Sequence, residues 1–369
     1  MKPVLFVTGH APAYRVGAFA RLHERENIVV ALFGGRAKHG GPVFEGVMPF
    51  PHLQIRPAEL ARVAASRRYR AVVCPTGGRV APAASWAGAR VGRVPLILWA
   101  SLWAHPRTLA HAFTYLPLRR LYRRADAVVT YGEHVSAYVR AQGARRVFVA
   151  PQSVDNDFWR APAGAPAGAG PGEPSHAPPW PPDATSRFLF VGRDAREKGL
   201  QVLVDAWRAS ELARTRAALA LAGGSDPRAA AIDEREQRIT RIGSSSAAEL
   251  RDLYSAADVL VVPSIPTRTF REPWGLVVNE AMNCRAAVIA SDAVGAAAGG
   301  LVRDGETGLV VRAGDSAELA RAMRVLAQDR DLRSRFANAG ADAVLAYSHD
   351  GWARGFSEAL AAVGRSRGV

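Results

Sequence analysis

Two glutamates stand eight positions apart in the stretch Glu272-Pro-Trp-Gly-Leu-Val-Val-Asn-Glu280. Pro273 suits the first turn of a helix, where its missing N–H costs nothing, so the spacing predicts a helix that begins near 273–275. Glu272 then stands in the loop before the helix, beside N–H groups that have no partner within it, and Glu280 lies about two turns in. Around Glu280 the apolar residues Leu276, Val277, Ala281 and Cys284 form a stripe at helical spacing, where a carboxylate is out of place. At a rise of ~1.5 Å per residue the carboxylates are roughly 8–12 Å apart, too far to act as a dyad on one atom. They can instead accept hydroxyl hydrogen bonds from two parts of one elongated ligand. A sugar nucleotide, with sugar, diphosphate and ribose in line, has that layout. The opposing arrangement turns Glu280 to solvent and leaves Glu272 as a partner of the helix dipole.

A second stretch supplies positive charge. Phe188 to Gly192 reads as a buried strand, followed by a polar loop and a helix whose apolar face is Leu200, Leu203, Val204 and Trp207. Arg193 and Lys198 bracket the loop. Two cations beside a helix N-terminus, at the carboxyl end of a strand, make a site for a diphosphate. The order of residues is not that of a P-loop. Lys198 is one of three lysines in a chain with 48 basic residues, which points to a need for a compact ammonium at this position.

Elements that could position these residues follow from the apolar pattern. Short buried runs at Val4–Thr8, Ile28–Phe33, Ala71–Cys74, Pro95–Ala100, Ala127–Thr130 and Val147–Ala150 alternate with helical patterns at Val16–Glu24, Ala58–Ser66, Arg107–Arg124 and His134–Gln142. Residues 161–186, rich in Pro, Gly and Ala and without periodicity, read as a linker. Alternation then resumes, with strands at 187–192, 218–224, 258–264, 286–291 and 308–312 and helices near 199–213, 228–238, 247–256 and 275–284. The stretch 316–363 is helical. Strand–helix alternation on both sides of a linker predicts two α/β lobes with parallel sheets and a cleft between them, ligands lying outside the carboxyl ends of the strands. The expected divisions are 1–160, the linker 161–186, 187–349, and a final helix at 350–369 that returns to the first lobe.

Composition narrows the classes. With 49% hydrophobic and 22% charged residues, wholesale disorder is excluded. No run reaches the ~18 apolar residues of a membrane span, and no signal peptide is indicated. Cys74 and Cys284 both sit in apolar segments, which argues against a disulfide framework or a zinc site and makes the cytoplasm the expected compartment. Residues 1–160 hold 23 Lys and Arg against 8 Asp and Glu, whereas 161–369 hold 25 against 25, so the net charge of +15 belongs to the first lobe. Such a field suits an anionic partner, although much of it can also be solvated arginine. Nucleic acid is not the expected partner, because no aromatic platform is interleaved with the charge. A dinucleotide oxidoreductase is disfavoured by the lack of a Gly-x-Gly-x-x-Gly run after a strand.

Gly192-Arg193 followed by Lys198-Gly199, then Glu272 and Glu280, then Asp304-Gly-Glu-Thr-Gly-Leu-Val-Val311, resemble the retaining glycosyltransferases of family 4, the likeness being strongest over 187–312. The resemblance implies the GT-B architecture, two Rossmann-like lobes with parallel sheets facing a central cleft. It implies that Arg193 and Lys198 bind a donor diphosphate, that Glu272 and the backbone of Trp274, Gly275 and Leu276 hold the transferred sugar, and that Glu280 binds ribose hydroxyls. Residues 241–264 resemble the family's nucleobase segment, which places Ile242 and Gly243 near the base. In the first lobe, Gly9, His10 and Arg15 occupy the loop after the first strand, as contacts for donor phosphate or acceptor. His105 resembles a histidine that faces the donor sugar; as a satisfied structural histidine it would have no such part. Ser153 stands where the family commonly has Gly, and Ala296 to Ala298 replace an acidic residue usual in that loop. Asp155 and Asp157 have the form of a metal-binding D-x-D but lie in a boundary segment used structurally, so no metal and no cofactor is expected.

These readings together lead to a retaining enzyme that moves a sugar from a UDP- or GDP-type donor to an acceptor hydroxyl, with the diphosphate sugar as co-substrate. Cell-envelope glycan or glycolipid synthesis is the first expectation for the acceptor, since Arg119, Arg120, Arg123 and Arg124 can present one helical face to anionic headgroups. A small natural product as acceptor, or a nucleotide-sugar epimerase or glycosyl phosphorylase on the same fold, are the alternatives.

Overall fold

The computed structural model describes residues 2–34, 48–78, 80–165, 178–223 and 238–365. The chain divides into two compact units, 1–155 with 347–369, and 156–346. The helix expected near 228–238 and the middle of the Pro/Gly/Ala-rich linker fall largely outside the described residues.

In the first unit β1 (Val4–Thr8), α1 (Ala13–Glu26), β2 (Ile28–Leu32), β3 (His52–Gln54), α2 (Leu60–Ala65), β4 (Ala71–Pro75), α3 (Ala81–Gly92), β5 (Leu96–Ala100), α4 (Leu109–Arg124), β6 (Ala127–Thr130), α5 (Glu133–Ala141) and β7 (Val147–Val149) follow one another. Their strands form a parallel sheet in the order β3-β2-β1-β4-β5-β6-β7. β1, β5 and β6 are buried along their whole length, which is why they read as continuous apolar runs.

The second unit holds α6 (Asn156–Arg160), β8 (Arg187–Val191), α7 (Leu200–Ser210), β9 (Ala218–Ala222), β10 (Ile239–Ile242), α8 (Ala247–Ala256), β11 (Val259–Val262), α9 (Leu276–Asn283), β12 (Ala287–Ser291), α10 (Gly295–Ala298), β13 (Leu309–Val311), α11 (Ser316–Gln328) and α12 (Arg330–Ala343). Its parallel sheet runs β10-β9-β8-β11-β12-β13. In register, Phe188 and Leu189 of β8 face Val259 and Leu260 of β11. Phe188, Leu203, Trp207, Val261, Ile289 and Met323 lie at the centre of its core.

The helical stretch after β13 is made of α11, α12 and a last helix, α13 (His349–Arg365), which belongs to the first unit. Trp352, Ala353, Phe356, Leu360 and Val363 recur at helical spacing and are buried there. Trp352 meets Phe19 at 5.6 Å between ring centroids and Trp99 at 5.9 Å, and Phe356 meets Phe6 at 5.3 Å, in edge-on arrangements worth about 0.5–1.5 kcal/mol each beyond their burial.

Candidate functional site

Strand order reverses in the second unit between β8 and β11, so the loops that leave these strands diverge and open a crevice at their carboxyl ends. The loop after β8 ends in a 3-10 turn, Arg196–Lys198, and passes through Gly199 at φ +72 into α7. A Cβ on Gly199 would overlap the Pro263 carbonyl oxygen. Ile265 N donates to Glu197 O at 2.9 Å, strapping the β11 loop to the β8 loop, and Ser291 Oγ donates to Ser264 O at 2.5 Å. Gly199→Ala is therefore expected to destabilise the chain by about 2–4 kcal/mol, the sum of a left-handed backbone penalty and an overlap with backbone. Urea denaturation measures it.

Glu272 reaches this crevice from the loop before α9. Its carbonyl accepts from Gly295 N at 3.1 Å, and that of Trp274 accepts from Ala296 N at 2.8 Å. Gly295 must lack a Cβ because Pro273 O occupies that place, and Gly275, at φ +91, caps the helix. The Glu272 side chain is 9% exposed, and Lys198 Nζ donates to its Oε2 at 2.6 Å. An ammonium has three donors, so Lys198 can keep this bond and still reach phosphate oxygens. Arg193 is half exposed and stands 3.7 Å from Glu197, a surface pairing that leaves it easily redirected.

The neighbouring strand ends are tied together. Gly192 N donates to Ala222 O at 3.0 Å, and Gly223 N donates to both Ile242 O and Gly243 O at 3.2 Å. A Cβ on Gly243 would meet nothing within 4 Å, so Gly192, Ile242 and Gly243 lie along one rim with open space beside Gly243.

Glu280 is not turned out to solvent. Tyr254 Oη, buried on α8, donates to Glu280 Oε2 at 2.8 Å. Burial pushes the Glu280 carboxyl up to about 7, an effect partly offset by this hydrogen bond, and burial beside Glu280 raises the Tyr254 phenol well above its ordinary value. Sequence reasoning missed Tyr254; the signal was a tyrosine on the buried face of a helix, whose hydroxyl needs a partner. The expected apolar stripe is also corrected. α9 buries Val278, Asn279, Ala281, Met282 and Asn283, whereas Leu276 and Val277 are only partly covered, because the helix turns its Val278 and Met282 side inward. The Trp274 indole is buried and donates to Asn279 Oδ1 at 2.7 Å, so only its backbone is placed to meet a ligand.

Gly9, His10, Arg15 and His105 belong to the first unit. Gly9 O accepts from Gly34 N at 2.9 Å, and His10 is exposed. Arg15 is 4% exposed; its Nη2 donates to Gln152 Oε1 at 2.5 Å, and its guanidinium lies 5.2 Å from the Tyr14 ring, 5.3 Å from Trp99 and 5.6 Å from Trp352. The expected loop contact is thus a side chain packed among rings between α1 and α13. His105, in the loop after β5, rests edge-on against Tyr115 at 5.0 Å. On α4 the four arginines are not equivalent. Arg119 is half-buried, Arg124 stacks 5.7 Å over Trp86, and Arg120 and Arg123 are exposed. Among the described residues no three His, Cys, Asp or Glu side chains are grouped to hold a metal ion.

Two Rossmann-like units with six- and seven-stranded parallel sheets are the GT-B fold, and solved structures agree. The HepE protein of Anabaena, crystallised with UDP and glucose, superposes with a TM-score of 0.70 over 98% of this chain and 100% of that one, at 16% identity. Residues 185–329, which carry Lys198, Glu272 and Glu280, match the family of glycosyl transferases group 1. A phosphatidyl-myo-inositol mannosyltransferase of Mycobacterium leprae is 36% identical over 166 residues, covering 43% of this chain and 42% of its own length. A D-inositol 3-phosphate glycosyltransferase of Nocardia farcinica is 32% identical over 234 residues, covering 58% and 47%. The match thus spans less than half the length of these curated relatives.

Proposed function

We propose that the chain is a retaining glycosyltransferase that moves a sugar from a nucleoside diphosphate donor to an acceptor hydroxyl. The observation that carries this reading is the pairing of Lys198 with Glu272 at the strand switch point, beside the helix that bears Glu280. Lys198 and Arg193 neutralise the departing diphosphate, the step in which negative charge grows on the leaving oxygens and positive charge on the sugar. Glu272 accepts from sugar hydroxyls, and Glu280 from the ribose. Retention follows from a same-face route in which the leaving phosphate takes the acceptor's proton, so no second carboxylate is needed at the sugar.

Thermal melting with UDP, GDP, ADP and NAD tests the donor class: UDP or GDP raises the midpoint and NAD does not. A shift from NAD alone would contradict the proposal. Transfer is also expected to survive excess chelator, because side-chain cations and helix ends do the neutralising. Strict dependence on added Mg²⁺ or Mn²⁺ would place the chemistry elsewhere.

For the acceptor, the relatives named above support a polyol or lipid-borne hydroxyl over a small natural product. α4 supports work at an anionic membrane. Phe113 is 83% exposed and Leu116 59%, and they share a helical face with Arg120, an apolar and basic surface suited to headgroups. Among the described residues no helix is long and apolar enough to cross a membrane. Vesicles with anionic lipid are expected to bind the chain, more weakly at high salt, and charge reversal at Arg120, Arg123 and Arg124 is expected to remove binding. Equal binding to neutral vesicles would contradict this.

A further inference from the structure

α9 buries two asparagines on one face. Asn279 has no exposed surface and Asn283 is 4% exposed, one turn apart. A buried amide is costly unless its hydrogen bonds are made, and aliphatic side chains would fill the same place without that demand. Here the bonds form a continuous run. Trp274 Nε1 donates to Asn279 Oδ1 at 2.7 Å; Asn283 Nδ2 donates to Asn279 O and to Asn156 Oδ1, each at 2.9 Å; and Arg160 Nε donates to Asn283 Oδ1 at 3.1 Å.

One end of the run is the loop that carries Glu272. α10 holds that loop through its backbone, by Gly295 N to Glu272 O and Ala296 N to Trp274 O. α9 holds it through a side chain, the indole of Trp274. Backbone bonds alone leave the loop free to tilt about them, whereas a third point, on a different helix, limits that tilt.

We infer that Asn279 is a positioning residue. It fixes the Trp274 indole and, through it, the place of the Glu272 carboxylate against Lys198, while touching no part of the donor. The inference rests on the reading of Glu272 as the contact to the transferred sugar. Misplacing a reacting group by about an ångström lowers the rate by up to about a hundredfold, with little effect on parts of the ligand held elsewhere.

Three variants test it. Asn279→Leu leaves the buried indole N–H without this acceptor, Trp274→Phe leaves Asn279 Oδ1 without this donor, and the double variant removes both polar groups together. The probes are UDP with UDP-glucose and GDP with GDP-mannose. Each single variant is expected to bind the free diphosphate within about threefold of wild type and to lose about tenfold or more in release of diphosphate from the sugar nucleotide. In the double variant the loss is expected to be well below the product of the single losses, because both act on one contact. Diphosphate affinity and turnover falling together in Asn279→Leu, or single losses that multiply in the double, would overturn the inference. If no nucleotide binds the wild type, the functional reading fails, and the loop is examined without ligand. The indole proton resonance of Trp274, assigned by its loss in Trp274→Phe, should then shift and exchange faster with water in Asn279→Leu. An unchanged resonance would show that Asn279 does not hold the loop.

Discussion

Lys198→Ala is expected to lower the rate of sugar transfer by at least about a hundredfold while the chain stays folded. In the proposed site the ammonium faces the departing diphosphate, and its side chain is 23% exposed, so truncation opens no cavity in the core. A second effect has to be separated from this one. Without Lys198, the largely buried Glu272 carboxylate loses its 2.6 Å ammonium partner, and a buried charge that loses its counter-ion is itself destabilising. Lys198→Ala combined with Glu272→Gln removes that charge. If the loss came from that charge, the double variant would recover to the turnover of Glu272→Gln alone; a cation needed at the leaving group leaves it as inactive as Lys198→Ala. Turnover of Lys198→Ala within about tenfold of wild type would remove Lys198 from the leaving-group role.

The parallel sheets were legible because buried strands in such sheets are near-continuous apolar runs, as in Val4–Thr8 and Val259–Val262. Two of the edge strands, β3 and β10, carry no such signal. β10 is Ile-Thr-Arg-Ile and β3 is His-Leu-Gln, both only partly buried, and neither reads as a strand until its neighbour's hydrogen bonds define it. Residue periodicity placed α9 to within a residue or so, yet of the expected apolar stripe only Ala281 is fully buried, while Leu276, Val277 and Cys284 are partly covered. Leu276 and Val277 are as apolar as Val278 and Met282, and only packing decides between them.

In the candidate site, side-chain types and spacing were enough to single out Lys198, Glu272 and Glu280. The partners they take were not legible, because each lies far away in the chain. Lys198 meets Glu272 across 74 positions and Glu280 meets Tyr254 across 26. Arg15 shows the converse. Its place in a polar loop after β1 suggested a ligand contact, and the return of α13, which supplies Trp352, turned it into a packed side chain.

The two glutamates are expected to fail differently. Glu280→Gln should weaken binding of the free nucleoside diphosphate by about tenfold or more, since the ribose is bound alike in substrate and transition state. Glu272→Gln should bind the free nucleotide nearly as wild type and lose turnover instead. The raised pKa of Glu280 adds a pH signature. If Glu280 holds the ribose as proposed, the hydroxyls donate to the ionised carboxylate, and affinity should rise as pH increases through about 7 in wild type. Glu280→Gln should lack that part of the rise, leaving only the ionisation of the ligand. Stability runs the other way. The folded carboxyl titrates near 7 and the unfolded one near 4.5, so the unfolded chain loses its proton first and stability falls as pH rises between those values. Urea denaturation across that window should show a shallower fall in Glu280→Gln. Calorimetric titrations that find Glu272→Gln impaired and Glu280→Gln unimpaired would exchange the two roles.

A crystal structure of the chain grown with whichever of UDP or GDP raises its melting midpoint locates the nucleotide directly. Diphosphate oxygens are expected within hydrogen-bond reach of Lys198 Nζ at the carboxyl ends of β8 and β11, and ribose hydroxyls on the Glu280 carboxylate. A nucleotide bound away from both side chains would contradict this placement.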